Sequence, residues 1–252
     1  GSDKPLKIIE LTSCIPSEGK SLINILFAKT LAEIGKKVLL VDLDLRRPQI
    51  HNRLALNNII GVSNLLTDNN LELKDAIQNV DKYPNWDVIT SGIRPPDPTL
   101  LLSSEKMVNF VDELRLNSNY DLVLFDTTPL IGISDAALIS DLTDALIMII
   151  SLDNVDRSLP KEALKLVKET NSIKLGFIAN SINLSKVKSN AYGYNYSGYK
   201  YGYGYGYADY AAYIEGESEK NYIEKQNSPI FYTSTIDSIR KLFKKFSDWI
   251  DK

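Results

Sequence analysis

The residues best suited to chemistry lie in one short loop, residues 16–21, which reads Pro-Ser-Glu-Gly-Lys-Ser. An apolar, β-rich run precedes this loop, and an apolar segment of helical length follows it. In that context backbone amides and the helix N-terminus hold phosphate oxygens, Lys20 neutralises the β- and γ-phosphates, and the Ser21 hydroxyl binds Mg²⁺. The pattern therefore predicts an ATP-binding loop. Its expected contact residues are Pro16, Ser17, Glu18, Gly19, Lys20, Ser21 and Leu22.

Acidic residues stand at the ends of two further apolar runs. Asp42 and Asp44 follow one run, on the same side of the chain given the two-residue period of a strand, and Asp126 ends another. Beside a phosphate-binding loop such acids are suited to hold Mg²⁺ or to accept a proton, and Asp126 has the Walker B arrangement. The alternative for Asp42 and Asp44 is an ordinary strand end with solvated acids. Three polar elements at three strand ends favour the nucleotide site.

These polar residues must be positioned by β-rich runs that alternate with segments of helical length. The predicted strands are residues 7–11, 38–43, 86–90, 121–126, 145–151 and 175–180. The predicted helices are residues 20–34, 100–116, 135–142 and 159–170. Near-continuous apolar strands separated by helices are typical of a mainly parallel sheet with helices on both faces, whose ligands bind at the carboxyl ends of the strands. We therefore predict an α/β fold of the P-loop NTPase type.

Composition excludes several classes of function. The chain has 252 residues and a formal net charge of −3, which gives no electrostatic case for binding nucleic acid. Its single cysteine, Cys14, and single histidine, His51, exclude a disulfide framework and a zinc site rich in His or Cys. No signal peptide is visible, and the longest strongly apolar stretch, residues 145–150, is far too short to span a membrane.

The composition changes abruptly after residue 190. Ten of the fourteen tyrosines fall between residues 192 and 213, interleaved with glycine, which at alternate positions disfavours both helix and strand. The last 18 residues (235–252) carry an apolar stripe that predicts a helix, which packs on the body of the protein or binds a membrane surface or partner. We therefore divide the chain into residues 1–2, a cloning scar; 3–190, the P-loop domain; 191–214, a flexible Tyr/Gly-rich tail; and 215–252, a polar linker with an amphipathic helix.

Taken together, the motifs resemble those of the bacterial tyrosine kinases, the cytoplasmic domains of exopolysaccharide and capsule chain-length regulators. The shared motifs are SxxPxEGKS, LLVDLDLRRP, PPxPxxLLxS and an apolar strand that ends in DxxP, followed by a tyrosine cluster. The resemblance covers about residues 5 to 213. It implies an autophosphorylating protein-tyrosine kinase that uses ATP and Mg²⁺ and regulates exopolysaccharide polymerisation and export.

The resemblance also implies roles for individual residues. Lys20 binds phosphate, and Asp42 accepts the tyrosine proton beside Asp44, although these two acids could exchange roles. Magnesium ligation falls to Ser21, Asp44 and Asp126. Asn180 stands where related P-loop ATPases contact adenine, with an ordinary strand-end turn as its alternative. The expected phosphate acceptors, on a neighbouring subunit, are Tyr192, Tyr194, Tyr196, Tyr199, Tyr201, Tyr203, Tyr205, Tyr207, Tyr210 and Tyr213.

The same resemblance implies partners and a location. We expect a ring-like homo-oligomer, a membrane-embedded polysaccharide co-polymerase domain that is fused or separate, and a cognate tyrosine phosphatase. The expected location is the cytoplasmic face of the plasma membrane, with this chain itself soluble. Each tail phosphate adds about −1.5 to −2 charge, so we expect phosphorylation to loosen the oligomer.

Three residues of the loop depart from the patterns of related proteins. Cys14 stands where the general phosphate-binding pattern has glycine, Ser17 stands where the kinase family usually has glycine, and Ile15 replaces the signature lysine of partitioning ATPases. Two rival functions stay open: a partitioning-type ATPase switch, and a non-catalytic regulator that binds nucleotide and assembles through its tail. Ile15 and the tail count against the first rival, whereas Cys14 and Ser17 favour the second.

Four further residues carry weaker predictions. An exposed ion pair is the default for Arg46 and Arg47, with contacts to phosphate, another subunit or a regulator as alternatives. Tyr83 and Tyr120 adjoin predicted strands, so we expect them in the core or at its rim rather than among the acceptors.

Overall fold

The computed structural model describes residues 6–152, 155–168 and 174–180. Its strands are β1 (Ile8–Ser13), β2 (Val38–Asp42), β3 (Ile77–Val80), β4 (Tyr83–Ile89), β5 (Leu122–Asp126), β6 (Ala145–Ser151) and β7 (Lys174–Asn180). They form one sheet in the order β3-β4-β2-β5-β1-β6-β7, and each strand pair is parallel except β3 with β4. The tyrosine-rich tail and the predicted C-terminal helix lie outside the described residues.

Eight helices accompany the strands in the described part of the chain. They are α1 (Lys20–Glu33), α2 (Ile50–Leu54), α3 (Val62–Thr67), α4 (Leu73–Ala76), α5 (Pro98–Leu102), α6 (Glu105–Leu116), α7 (Asp135–Ser140) and α8 (Leu159–Lys168). The mainly parallel sheet with its helices confirms the predicted fold class. Among the residues described, no helix combines the length and apolar character needed to cross a bilayer.

Both faces of the sheet are covered, which explains why its strands are almost continuously apolar. On β1, Ile8 packs into a cluster with Phe110 of α6, whereas its neighbour Ile9 packs into a second cluster with Phe27 of α1. Successive side chains of a strand point to opposite faces, so a strand buried on both sides has no solvent-facing position. The strand ends that carry the polar motifs are thereby held in fixed relative positions.

The structure corrects the predicted helix 100–116, which is two helices. The side chain of Asp97 accepts a hydrogen bond from the amide of Leu100 and caps α5, and Pro98 occupies its first turn. The hydroxyl of Ser104 then caps α6 by accepting from the amide of Met107. Serine and aspartate satisfy the free amides of a helix start, so Ser104 begins a new helix rather than continuing the old one.

Several short elements were not predicted. Strand β3 forms an antiparallel edge beside β4, and helices α2, α3 and α4 have only four to six residues each. Elements of this length are too short for a hydrophobic period to show in the sequence. The other boundaries agree with the predicted ones within about three residues, which is the normal uncertainty of assigned ends.

Candidate active site

The phosphate-binding loop connects β1 to α1 and ends at Gly19. The backbone of Gly19 is left-handed, with φ of 89°, and α1 starts at the next residue, Lys20. The backbone angle therefore favours glycine, and a Cβ atom at position 19 would lie 2.6 Å from Nδ2 of Asn180 and displace that side chain. The first amides of α1 have no acceptor within the helix, which leaves this end suited to an anion.

Two unusual residues of the loop, Cys14 and Ser17, have different environments. The thiol of Cys14 is buried, with Sγ 3.6 Å from Sδ of Met148, and burial raises the pKa of Cys14 to about 12. It therefore behaves as a small apolar core residue beneath the loop. Ser17 is exposed and adopts a left-handed φ of 67°, a conformation for which glycine is better suited.

Glu18 faces the protein interior rather than the ligand side. Its side chain is buried, with one carboxylate oxygen accepting from the amide of Ile15 and the other from the amide of Ser151, each at 2.8 Å. Burial raises the pKa of Glu18, and these backbone hydrogen bonds partly offset that rise. The side chain of Glu18 thus braces the loop, so the predicted ATP contact at this position concerns the backbone.

Three buried carboxylates surround the ammonium of Lys20. Its Nζ lies 2.7 Å from Oδ2 of Asp44 and 4.0 Å from Oδ2 of Asp126. Asp42 and Asp126 are direct partners in the pairing of β2 with β5, which places the Walker B position beside the second acidic motif. All three acids are at most 1% exposed, so the alternative of solvated acids at a strand end is wrong.

Hydrogen bonds hold two of these acids more firmly than the third. Asp42 accepts from the amides of Asp44 and Ile50, both at 3.2 Å, and Asp44 accepts from Lys20 and from the amide of Arg47. Neither carboxylate oxygen of Asp126 has a well-formed hydrogen bond within the described ranges. Buried polar atoms without well-formed hydrogen bonds are rare, and the side chains of Ser21 and Asn24 only partly offset the effect of burial on the pKa of Asp126.

The charges in this cluster do not balance. Burial and the charges of Asp126 and Asp44 raise the pKa of Asp42 well above its usual range, and burial likewise raises the pKa of Asp126. Burial alone would lower the pKa of Lys20, but the acids Asp126, Asp44 and Asp42 together raise it above its ordinary value. One ammonium therefore serves three carboxylates, and the cluster favours a further positive charge.

The predicted magnesium ligands lie near one another without forming a finished site. Asp44 and Asp126 both face Lys20, whose Nζ also lies 3.5 Å from the Ser21 hydroxyl. Across the described residues, no group of three or more His, Cys, Asp or Glu side chains has the arrangement of a metal site. The oxygen donors fit a hard divalent cation by type, and Lys20 holds Asp44 in the arrangement seen here.

Asn180 lies against the phosphate-binding loop. Its amide nitrogen donates to the carbonyl of Glu18 at 2.8 Å and covers Gly19. Leu22, the last predicted contact, is 45% exposed in the first turn of α1. The predicted nucleotide residues of the loop after β1, the start of α1 and the end of β7 are therefore brought together at one edge of the sheet, while the predicted acceptor tyrosines 192–213 lie outside the described residues.

Arg46 corrects the prediction of an exposed ion pair. Its guanidinium contacts Asp135, which is 1% exposed, with Nε at 2.7 Å from Oδ2, and donates to the hydroxyl of Thr99 at 2.7 Å. This joins the second acidic motif to α5 and α7. Tyr120 is buried and Tyr83 is half-buried beside Trp86, which confirms their placement in the core or at its rim.

Two buried polar residues beside the site were missed by the sequence reasoning. Glu10, in the central strand, accepts from the hydroxyl of Thr127, the residue after Asp126, at 2.7 Å. Asn24 is fully buried one turn after Lys20. The signal for both was a polar side chain within an otherwise apolar strand or helix face.

Comparison with known proteins gives the chain a family. Residues 7–188 match the AAA domain family. The chain is 35% identical over 190 residues to the tyrosine-protein kinase YwqD of Bacillus subtilis, covering 75% of this chain and 78% of that protein. It is 31% identical to the putative tyrosine-protein kinase CapB of Staphylococcus aureus, covering 76% of this chain and 82% of that one.

Solved structures that are similar to this chain indicate the same family. The chimerical protein CapA2B2 superposes with a TM-score of 0.67 at 33% identity, over 72% of this chain and 78% of that chain. The kinase domain of the Escherichia coli tyrosine kinase ETK gives 0.64 at 30% identity, over 76% and 73%. The MinC:MinD complex of Aquifex aeolicus, at 22% identity and a TM-score of 0.62 over 73% and 72%, shares the fold. The chain therefore belongs to the bacterial tyrosine kinases, as its motifs and fold both indicate.

Proposed function

We propose that this chain is an autophosphorylating protein-tyrosine kinase that uses ATP with Mg²⁺ and regulates exopolysaccharide polymerisation and export. The observation that supports it best is the cluster of Asp42, Asp44 and Asp126 around Lys20 at the phosphate-binding loop. A tail of ten tyrosines in the same chain supplies acceptors. Phosphoryl transfer depends mainly on positioning and charge neutralisation, which such a cluster provides.

The residues of the loop bind and orient the nucleotide in this proposal. The amides at the start of α1 and the Lys20 ammonium hold the phosphates, with Pro16, Ser17, Glu18 and Gly19 contributing backbone. Asn180 lies beside the loop and borders the adenine. Bound Mg²⁺ would neutralise phosphate charge, and Ser21, Asp44 and Asp126 would hold it. Lys20, which contacts Asp44 in this structure, would bind the phosphates when nucleotide and Mg²⁺ are present.

Asp42 is the proposed base. Its carboxylate accepts the phenol proton while the tyrosine oxygen bonds to the γ-phosphorus and the bond from that phosphorus to the ADP oxygen breaks. Asp42 is fixed by amide hydrogen bonds from Asp44 and Ile50, which gives it the defined orientation that general-base catalysis requires. Because its neighbour Asp44 is equally buried, variants of each acid are needed to separate their roles.

The acceptors in this proposal are the tail tyrosines of a neighbouring copy. A tail attached to the catalytic domain gives each acceptor a high effective concentration at a nearby active site. Phosphates added there carry about −1.5 to −2 charge each, and the acidic sites repel them. We expect a ring-like oligomer to dissociate as the tail becomes phosphorylated, and size-exclusion chromatography with light scattering before and after reaction measures this.

The proposed setting includes a membrane-embedded polysaccharide co-polymerase domain, fused or separate, and a cognate tyrosine phosphatase. The chain would act at the cytoplasmic face of the plasma membrane. Co-purification with a co-polymerase domain from the same genome tests this setting independently of the chemistry.

Replacing Lys20 with methionine tests the proposed activity. We expect Lys20→Met to abolish tail phosphotyrosine, measured by mass spectrometry after incubation with ATP and Mg²⁺, because the β- and γ-phosphates lose their cation. Lys29→Met is the matched control, since Lys29 lies on the same helix and is 40% exposed. Retained phosphorylation in purified K20M would overturn the site assignment. ATP hydrolysis by the wild type without phosphotyrosine would favour an ATPase switch, and nucleotide binding with neither reaction would favour a non-catalytic regulator.

A further inference from the structure

The side chain of Glu18 accepts hydrogen bonds from two backbone amides, one within the phosphate-binding loop and one on β6. One carboxylate oxygen accepts from the amide of Ile15, three residues earlier, and so encloses Pro16 and Ser17 in a closed turn. The other oxygen accepts from the amide of Ser151, the last residue of β6. Both distances are 2.8 Å, and the residue is 1% exposed.

The turn that Glu18 encloses contains a strained residue. Ser17 has a φ of 67°, in the left-handed region that a side chain disfavours and glycine adopts readily. A residue held in such a conformation keeps it only where the surroundings determine it. The surrounding contacts include the two hydrogen bonds of Glu18 and the Asn180 amide that donates to the Glu18 carbonyl.

A charged acceptor suits this task. Hydrogen bonds to an ionised carboxylate are stronger than those between neutral groups, and burial prevents water from competing for the same amides. Because Ser151 ends β6 and Asn180 ends β7, the loop is fastened to the ends of two neighbouring strands. A loop with glycine at position 17 would adopt the same turn with less strain, so this support should matter less there.

We propose that Glu18 is a positioning residue whose carboxylate holds the phosphate-binding loop in its nucleotide-ready conformation by fastening it to the end of β6. It thereby compensates for serine at position 17. The proposal rests on the proposed function in that the loop binds nucleotide phosphates. It assigns Glu18 no contact with the ligand itself.

A double-mutant cycle tests the compensation. Glu18→Ala and Glu18→Gln are each made alone and in the S17G background, and affinity for a fluorescent ADP analogue is measured with Mg²⁺, alongside urea unfolding without nucleotide. We expect E18A alone to weaken ADP binding about tenfold and E18A in the S17G background to weaken it less than threefold. E18Q should be intermediate, because its amide oxygen accepts from one backbone amide while its NH₂ group faces the other. Glu33→Ala, on the surface of α1, should bind as the wild type does.

Two results would overturn the proposal. Unchanged ADP affinity in E18A would show that the bridge does not shape the loop, and an equal loss in both backgrounds would show that it does not compensate for Ser17. If Glu18 has only a general structural role, E18A should lower the free energy of unfolding equally in both backgrounds. Compensation for Ser17 instead predicts a smaller loss in the S17G background. If the wild type binds no ADP, or binds it without forming phosphotyrosine, the proposed function is wrong. The unfolding cycle then still decides whether Glu18 compensates for Ser17.

Discussion

The two ends of the parallel strands carry similar charged residues in different arrangements. We call them the carboxyl edge and the amino edge of the sheet. At the carboxyl edge, one lysine, Lys20, faces three buried acids, and the oxygens of Asp126 have no well-formed hydrogen bond in the part of the chain described. At the amino edge, Asp144 pairs with Arg115 and also accepts from the amides of Lys7 and Ile8, at 2.9 and 2.8 Å. The first arrangement has more buried acids than cations, and the second is satisfied.

This difference separates the proposed functional cluster from a structural one. The Arg115–Asp144 pair is partly solvated, with side chains 35% and 22% exposed, and it fastens the start of β1 to the end of α6 and the loop before β6. Burial of unbalanced charge at the carboxyl edge opposes folding, and a protein retains it where a ligand supplies the missing charge. A surplus of buried acids over cations, rather than the presence of ion pairs, therefore distinguishes the proposed active edge.

Replacing Asp126 with asparagine gives the largest effect and tests this comparison most directly. We expect Asp126→Asn to lower tail phosphorylation by at least about 100-fold, because a group that holds the metal and its charge is lost. We also expect the free energy of unfolding without Mg²⁺ to rise by about 1 kcal/mol, since one of three mutually repelling buried acids becomes neutral. Phosphorylation rate and urea unfolding are measured on the same preparation. Lower stability with retained activity would show that Asp126 is a structural acid like Asp144.

Glu10 is a buried acid in the middle of β1, between the two edges of the sheet. It tests whether a buried acid without a cation changes stability even when it lies outside the predicted nucleotide site. It is fully buried on β1, and burial raises its pKa to about 8, an effect that the Thr127 hydrogen bond opposes and the charge of Asp141 reinforces. The native state therefore holds a proton that the unfolded state releases near its ordinary pKa of 4.5. Between these two values the free energy of unfolding should fall as the pH rises, by a total of about 5 kcal/mol.

The measurement is urea unfolding of wild type and Glu10→Gln between pH 5 and 8. We expect the free energy of unfolding of E10Q to fall less over this range, since glutamine keeps an acceptor for Thr127 without a titrating proton. Glu113→Gln, on the exposed surface of α6, is the control and should keep the wild-type slope. Parallel pH profiles for wild type and E10Q would show that Glu10 is ionised in the folded protein.

Sequence reasoning predicted the parts of this arrangement that depend on strand ends. The parallel sheet, the loop before α1 and the placement of Asp42 beside Asp126 all follow from apolar runs and their terminal residues. It could not show the inward side chain of Glu18 or the Arg46–Asp135 pair, because these contacts join residues 133 and 89 positions apart. Their partners become neighbours only after folding, and no local pattern records them.

Replacing Asp144 is the test at the amino edge that corresponds to D126N at the carboxyl edge. We expect Asp144→Asn to lower the free energy of unfolding by about 2 kcal/mol, because asparagine loses the charge opposite Arg115 and can accept less well from the amides of Lys7 and Ile8. Tail phosphorylation per folded molecule should stay within about twofold of wild type. Urea unfolding and phosphorylation rates check both expectations. An activity loss comparable to that of D126N would remove the distinction between the edges.

Replacing Arg46 should give the smallest effect, because Arg46 forms a satisfied ion pair at the carboxyl edge. Its guanidinium forms a fork with buried Asp135 and Thr99, which lysine cannot reproduce. We expect Arg46→Lys to lower the free energy of unfolding by about 1 kcal/mol and to leave the affinity for ADP with Mg²⁺ within about twofold, measured by calorimetry. If charge balance, rather than a position at the carboxyl edge, identifies the active residues, R46K should behave like D144N. It should then lose stability and keep its activity. A tenfold loss of ADP affinity with unchanged stability would instead place Arg46 among the phosphate-binding groups, and location would then be the better guide.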